Sequence, residues 1–187
     1  MVKRISDIFL SLVLLFILAI PILVVAITIK LESRGPAFFY SKRVGKNKNI
    51  FLMPKFRSMK INTPQVATNL LNNSKNYITK FGNFIRKTSL DEIPQLFSIL
   101  KGDMTFVGPR PALFNQYDLI NLREKFGLNI LTPGLTGWAQ VNGRDELSIS
   151  QKVKIELFYK KNQSIILDIK ILYLTFLKVI KMKDIKH

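Results

Sequence analysis

Ile8-Phe9-Leu10-Ser11-Leu12-Val13-Leu14-Leu15-Phe16-Ile17-Leu18-Ala19-Ile20-Pro21-Ile22-Leu23-Val24-Val25-Ala26-Ile27-Thr28-Ile29 runs 22 residues without a charge. As a straight helix it would reach about 33 Å, enough for a bilayer core of about 30 Å. Pro21 removes one backbone hydrogen bond and crowds the preceding turn, so a bend is expected near Ala19 and Ile20. Lys3 and Arg4 precede the run, and Lys30, Arg34, Lys42 and Arg43 follow it. Basic residues favour the cytoplasmic side. A helix that enters one leaflet, breaks at Pro21 and returns satisfies both flanks, whereas a straight span leaves two cations and the amino terminus outside. The re-entrant arrangement is therefore preferred. A cleaved signal peptide ending near Val24-Val25-Ala26 fits less well, because the apolar core exceeds the usual ~7–15 residues. A buried core helix fits poorly too, since the segment has almost no polar face.

The whole chain has 187 residues and a formal net charge of +17, which implies an anionic partner: nucleic acid, an acidic leaflet or phosphorylated molecules. It has no cysteine, and its one histidine is the terminal His187. Thiol chemistry, disulfides and thiolate metal sites are excluded. A nucleophile, acid or base must come from carboxylates, hydroxyls, tyrosines or lysines, and a metal would be a hard, oxygen-liganded ion such as Mg²⁺.

Residues 33–90 carry twelve Lys/Arg and no acid, and then Asp91 and Glu92 stand side by side. The contrast points to a phosphate site holding a reactive acid; helix capping is the plainer explanation for such a pair. After the turn Arg34-Gly35-Pro36, the runs Ala37-Phe38-Phe39-Tyr40 and Ile50-Phe51-Leu52-Met53 flank residues 45–49 as a short hairpin. Residues 61–76 read as a polar loop or mobile helix. Ile93, Leu96, Phe97 and Leu100 mark one face of a short helix over residues 90–100, ended by Lys101-Gly102-Asp103. Its cap is Ser89 in a capping box with Glu92, or Asp91, which suits Pro94 better. Either register sets both acids at a helix N-terminus, where the ionised form is favoured. Residues 148–159 read as helical. In the segment from Ile165 to Ile180, Ile165, Ile169, Leu172, Phe176 and Val179 share a face edged by Lys170, Lys178 and Lys181. That face packs on a core by default or lies among lipid headgroups.

Five strings occur in order: Lys55-Phe56-Arg57-Ser58-Met59, Ser89-Leu90-Asp91-Glu92-Ile93-Pro94-Gln95-Leu96, Lys101-Gly102-Asp103-Met104, Val107-Gly108-Pro109-Arg110-Pro111 and Thr136-Gly137-Trp138-Ala139-Gln140-Val141-Asn142-Gly143-Arg144. With them the chain resembles the bacterial sugar transferases of the monotopic phosphoglycosyl transferase type, from the apolar segment to the last helix. The resemblance implies transfer of a sugar 1-phosphate from a UDP-sugar to polyprenol (undecaprenyl) phosphate at the cytoplasmic face of the inner membrane, with release of UMP. It also implies a re-entrant helix broken at a proline, an Asp-Glu dyad, Mg²⁺ and a covalent phosphosugar intermediate on the Asp. Asp91, Glu92 and Pro21 occupy the matching positions. Two departures stand out: Lys42 precedes Arg43-Val44-Gly45 where Gln is frequent, and Ile20 precedes Pro21 where a small polar residue can occur.

The implied fold is mainly α with a short β-hairpin: residues 1–32 form the re-entrant membrane helix kinked at Pro21, and residues 33–187 a small cytoplasmic catalytic domain with amphipathic surface helices. Asp91 is assigned as nucleophile and Glu92 as Mg²⁺ ligand or supporting base, both acids being metal candidates. Arg110, stiffened between prolines, is the leading phosphate clamp. Lys55, Arg57 and Arg86 follow as phosphate or headgroup contacts, and Arg144 belongs to a loop suited to a nucleotide or sugar phosphate, with Trp138 equally suited to core filling. The expected partners are the UDP-sugar, the polyprenol phosphate and the bilayer, with no nucleic acid. The rival readings are a membrane-tethered nucleic-acid binder, for which fourteen Phe offer stacking surfaces but no motif is present, and an inactive scaffold of a glycan-assembly complex.

Overall fold

A computed structural model describes residues 2–64, 76–143 and 146–180. Helices α1 (Val2–Ile17) and α2 (Ala19–Glu32) meet at Leu18 with a bend of 62°. The bend lies just ahead of the expected position, and Pro21 is the third residue of α2. The flanking bonds Leu18 N to Leu14 O and Ile22 N to Leu18 O are both intact at 2.8 Å. Among the described residues no single helix is long and apolar enough to cross a membrane; the bent pair together passes that test.

The expected hairpin forms as β1 (Phe38–Val44) and β2 (Ile50–Phe56), antiparallel with Ser41 opposite Met53. Side chains alternate between its faces, so Phe51 and Met53 enter the core while Ile50 and Leu52 face out. Helix α3 (Lys80–Lys87) is capped by the Thr79 hydroxyl, which accepts from Gly82 N at 2.9 Å. The helix expected over residues 90–100 is split into a 3₁₀ turn, Leu90–Glu92, and α4 (Gln95–Lys101). Pro94 cannot donate to the preceding turn, so the helix begins afresh behind it. The Ser89 side chain makes no cap bond, and its backbone is left-handed (φ 56°); no capping box forms. Gly102 ends α4 at φ 99°, a conformation that glycine adopts without strain.

A parallel pair, β3 (Thr105–Val107) with β4 (Gly134–Thr136), was not foreseen. It brings together two of the sequence strings, with Gly108 N donating to Thr136 O at 2.8 Å. A Cβ on Gly134 would lie 2.1 Å from Gly108 N, and one on Gly137 would lie 2.0 Å from Gly108 O, so only glycine permits the approach. Between these strands runs α5 (Tyr117–Lys125), and after them come α6 (Trp138–Val141), α7 (Ile149–Lys161) and α8 (Ile165–Ile180). Ser148 and Gln151 form a full capping box on α7. Trp138 opens α6 rather than a loop, packs at the core edge and stacks on Phe158.

The main core joins Phe51, Met53, Leu96, Ile99, Met104, Phe106, Val107, Tyr159 and Ile171 beneath α1. A second cluster, Val25, Ile29, Ala37, Phe56 and Ile85, holds α2. Both membrane candidates therefore lie on the domain, with their outer surfaces apolar: Phe16 is 86% and Ile20 75% exposed. On α8 Ile171 is fully buried and Leu167, Leu172 and Leu174 pack against the core, so of the face read from the sequence Leu172 turns inward while Ile165, Ile169 and Phe176 face outward, against the core-packing default for most of that face.

Candidate active site

Asp91 and Glu92 occupy consecutive positions on the 3₁₀ turn. Leu90 and Ile93 on either side are inserted into the cluster that holds α2, so the turn is seated directly beneath the bent helix pair. The turn starts from the left-handed Ser89, a backbone state costing a non-glycine residue about 1–2 kcal/mol, which reverses the chain out of α3. Glu92 N donates to Ser89 O at 3.1 Å and Ile93 N to Leu90 O at 3.2 Å.

Cations from three elements converge on these acids. Lys55, near the end of β2, donates through Nζ to Glu92 Oε1 at 2.8 Å and to Asp91 Oδ2 at 3.4 Å. Arg110, just past β3, donates from Nη2 to the same Glu92 Oε1 at 2.7 Å. Arg86, in the last turn of α3, is buried and feels the attraction of both carboxylates. Burial nevertheless lowers the Arg86 pKa.

The two acids are pushed apart electrostatically. Burial raises Asp91; Lys55 opposes this, and the neighbouring Glu92 charge adds to the rise. For Glu92 burial also acts upward, but Arg110 and Lys55, through charge and hydrogen bonds, outweigh it and hold its carboxyl well below the usual range. The pair thus has one firmly ionised member and one that is easier to protonate. This differs from the expected helix-dipole effect, which would favour ionisation of both; the charges come from named side chains.

Of the expected site residues, Asp91, Glu92, Lys55, Arg110 and Arg86 are assembled here. Arg57 is directed elsewhere: it is buried, with Nη1 donating to Arg34 O at 2.7 Å and Nη2 to Ser33 O at 2.7 Å, closing the C-terminal end of α2. Arg144 lies outside the described residues, as do most of the polar segment 61–76, Lys181 and His187. Three contributors escaped the sequence reading. Arg43 Nη1 donates to Pro111 O at 3.1 Å, and burial together with nearby Arg110 lowers its pKa to about 10. Arg123 and Glu156 form a buried ion pair behind the Arg110 loop. The signal for Glu156 was its place with Val153 and Tyr159 on the buried face of α7, where an acid requires a partner.

The donor set suits a hard divalent ion in one particular way. Among the described residues no group of three or more His, Cys, Asp or Glu side chains is assembled, so the dyad supplies two carboxylates. Mg²⁺ characteristically uses one or two carboxylates and completes its shell with substrate phosphates and water. Hydrogen bonds engage Asp91 Oδ2 and Glu92 Oε1, so among the described residues each carboxylate keeps a second oxygen for such an ion.

A family model described as bacterial sugar transferase matches residues 1–182. The uncharacterized sugar transferase EpsL of Bacillus subtilis is 37% identical over 185 residues, covering 99% of this chain and 90% of that protein. The UDP-glucose:undecaprenyl-phosphate glucose-1-phosphate transferase of Escherichia coli is 39% identical over 186 residues, covering 95% of this chain and 40% of that protein. The UDP-N-acetylgalactosamine-undecaprenyl-phosphate N-acetylgalactosaminephosphotransferase of Aeromonas hydrophila is 37% identical over 179 residues, covering 93% and 42%. The chain thus spans most of the Bacillus protein but only about two fifths of the other two. The chain belongs to the bacterial sugar transferase family.

Proposed function

We propose that the protein transfers a sugar 1-phosphate from a UDP-sugar to polyprenol phosphate through a covalent intermediate on Asp91. The observation that carries this reading is the dyad itself: two adjacent carboxylates, Asp91 buried and Glu92 partly buried, bracketed by Lys55 and Arg110 and driven to different protonation tendencies. A carboxylate oxygen of Asp91 attacks the β-phosphorus of the UDP-sugar; the bond from that phosphorus to the bridging oxygen breaks, and its electron pair leaves with UMP. An oxygen of polyprenol phosphate then attacks the same phosphorus, and the bond to Asp91 breaks. This gives the polyprenyl diphosphate sugar and restores the carboxylate. Splitting the transfer keeps two polyanionic substrates apart, because UMP departs before the lipid phosphate arrives.

Arg110 offers its guanidinium fork to the transferring phosphate, and Lys55 and Arg86 supply further positive charge. Lys55 and Arg110 also hold Glu92 ionised. Asp91 and Glu92 would hold Mg²⁺, which supplies charge neutralisation on the diphosphate when bound. Asp91 must be ionised to attack.

The bent helix pair serves as a re-entrant membrane element at the inner, cytoplasmic leaflet. At 16 and 14 residues, α1 and α2 reach about 24 and 21 Å, each short of a bilayer core of about 30 Å. Pro21 has no N–H for the Ile17 carbonyl, which accounts for the break beside it. Both outer ends are fastened to the same body. Arg4 donates to Ile99 O and Leu100 O at the end of α4, Asp7 accepts from Thr105 Oγ1 at 2.7 Å, and Arg57 grips the end of α2. Such a pair leaves the domain and returns to it. The outward residues of α8 lie on the same lipid surface.

The test is UMP release by detergent-purified protein given Mg²⁺, polyprenol phosphate and a panel of UDP-sugars that includes glucose, galactose and N-acetylated amino sugars. Release with at least one donor, abolished by Asp91→Asn, supports the reading. Undiminished release by that variant overturns it.

A further inference from the structure

The Arg110 loop carries prolines at 109 and 111, so the backbone donors on either side of Arg110 are missing and the loop is secured largely through its carbonyls. Gly134 N donates to Pro109 O at 2.9 Å, Arg123 Nη2 to Arg110 O at 3.0 Å, Arg43 Nη1 to Pro111 O at 3.1 Å, and Val44 N to Ala112 O at 2.9 Å. Four successive carbonyls are held by donors from β4, α5 and β1. Only one of these donors depends on a buried acid. Glu156 on α7, 2% exposed, receives Arg123 Nε at Oε2 (2.8 Å) and Nη2 at Oε1 (2.5 Å). That fork fixes the plane of the Arg123 guanidinium, whose Nη2 is shared between Glu156 and the Arg110 carbonyl.

We infer that Glu156 and Arg123 are positioning residues for the reaction, acting through the Arg110 backbone to hold its guanidinium at Glu92 and the transferring phosphate. The inference rests on the proposed role of Arg110 as phosphate clamp. A buried ion pair adds little net stability over a well-packed apolar pair, so its geometry is the more informative property. A displacement near 1 Å at a clamp is sufficient to reduce turnover by about 100-fold.

The experiment is a double-mutant cycle on UMP release by the full-length protein, with Arg110→Ala as one arm and Glu156→Gln or Arg123→Lys as the other. Glu156→Gln keeps the shape and removes the charge; Arg123→Lys keeps the charge and removes the fork. Each is expected to lower kcat by about 10- to 100-fold with a smaller change in KM, and to lower it by less than about 2-fold further when Arg110 is already alanine. Asp168→Asn, which disturbs a separate, partly buried polar cluster, is the comparison: its effect should be equal in both backgrounds. Should the Glu156 and Arg123 variants also act equally in both backgrounds, their role is structural and the inference fails. Should Arg110→Ala itself leave turnover intact, the clamp assignment fails instead. If Glu156→Gln does not fold, Arg123→Lys decides the question alone.

Discussion

Two polar clusters in this molecule each set a lysine against carboxylate and behave differently. At the start of α1, Lys3 Nζ donates to Val107 O at 2.8 Å, Tyr159 Oη at 2.9 Å and Asp168 Oδ2 at 2.5 Å, so its three protons have three acceptors. Tyr159 donates in turn to Asp168 Oδ1 at 2.7 Å, and burial followed by that bond raises the phenol pKa. One acid, one cation and a hydroxyl close upon themselves and join α1, α7, α8 and β3. Beneath α2, by contrast, two acids are forced onto neighbouring residues, and Lys55 lies 2.8 Å from one but 3.4 Å from the other. The closed cluster fixes the fold. The open one holds an acid, Asp91, whose ionised form burial disfavours.

Breaking the open cluster should have the largest consequence for activity. Asp91→Asn is expected to lower UMP release by at least about 1,000-fold, as loss of a covalent nucleophile does. Because burial raises Asp91, its ionised form costs the folded state free energy. The stability linked to this group is present below the ordinary value of about 3.9 and is lost as pH rises through the raised folded value. The same substitution should therefore raise Tm at neutral pH, as thermal unfolding in detergent would register. A fall would mean that the dyad is structural like the Lys3 cluster.

Arg110→Ala comes next, with an expected loss of about 100-fold in kcat, the scale of removing one oriented donor from a developing charge. Asp168→Asn reverses the pattern. It leaves Lys3 without its counter-charge, and about 1–3 kcal/mol of stability should go, or about 2–4 °C in Tm for each 1 kcal/mol, while turnover per folded molecule is maintained. The smallest effect is in the pH profile. The acid limb of kcat/KM should lie above the ordinary Asp value, since the rate falls as Asp91 takes up a proton; a limb at or below about 3.9 would remove the asymmetry between the two acids.

Local pattern made much of this visible in the sequence. The hairpin follows from two apolar runs around a Gly- and Asn-bearing turn, and α8 matches the stretch read as Ile165–Ile180. The dyad and Arg110 were legible because their strings are long and specific. Contacts across large separations were hidden. Nothing within residues 105–136 announces that a three-residue strand pairs in parallel with another, nor that Gly108 and Gly134 touch. Arg57 shares a basic string with Lys55, yet one cation closes α2 and the other meets the dyad, a division set by where β2 ends. The direction of the apolar face of α8 likewise depends on what else covers the core.

Mass spectrometry of the intact protein, incubated with Mg²⁺ and a UDP-sugar that supports turnover but with polyprenol phosphate withheld, interrogates the open cluster at its centre. The account predicts a mass gain equal to one sugar phosphate, localised to the peptide bearing Asp91 and lost when the lipid acceptor is added. An unmodified protein under those conditions, with UMP still released once the acceptor is supplied, would contradict it.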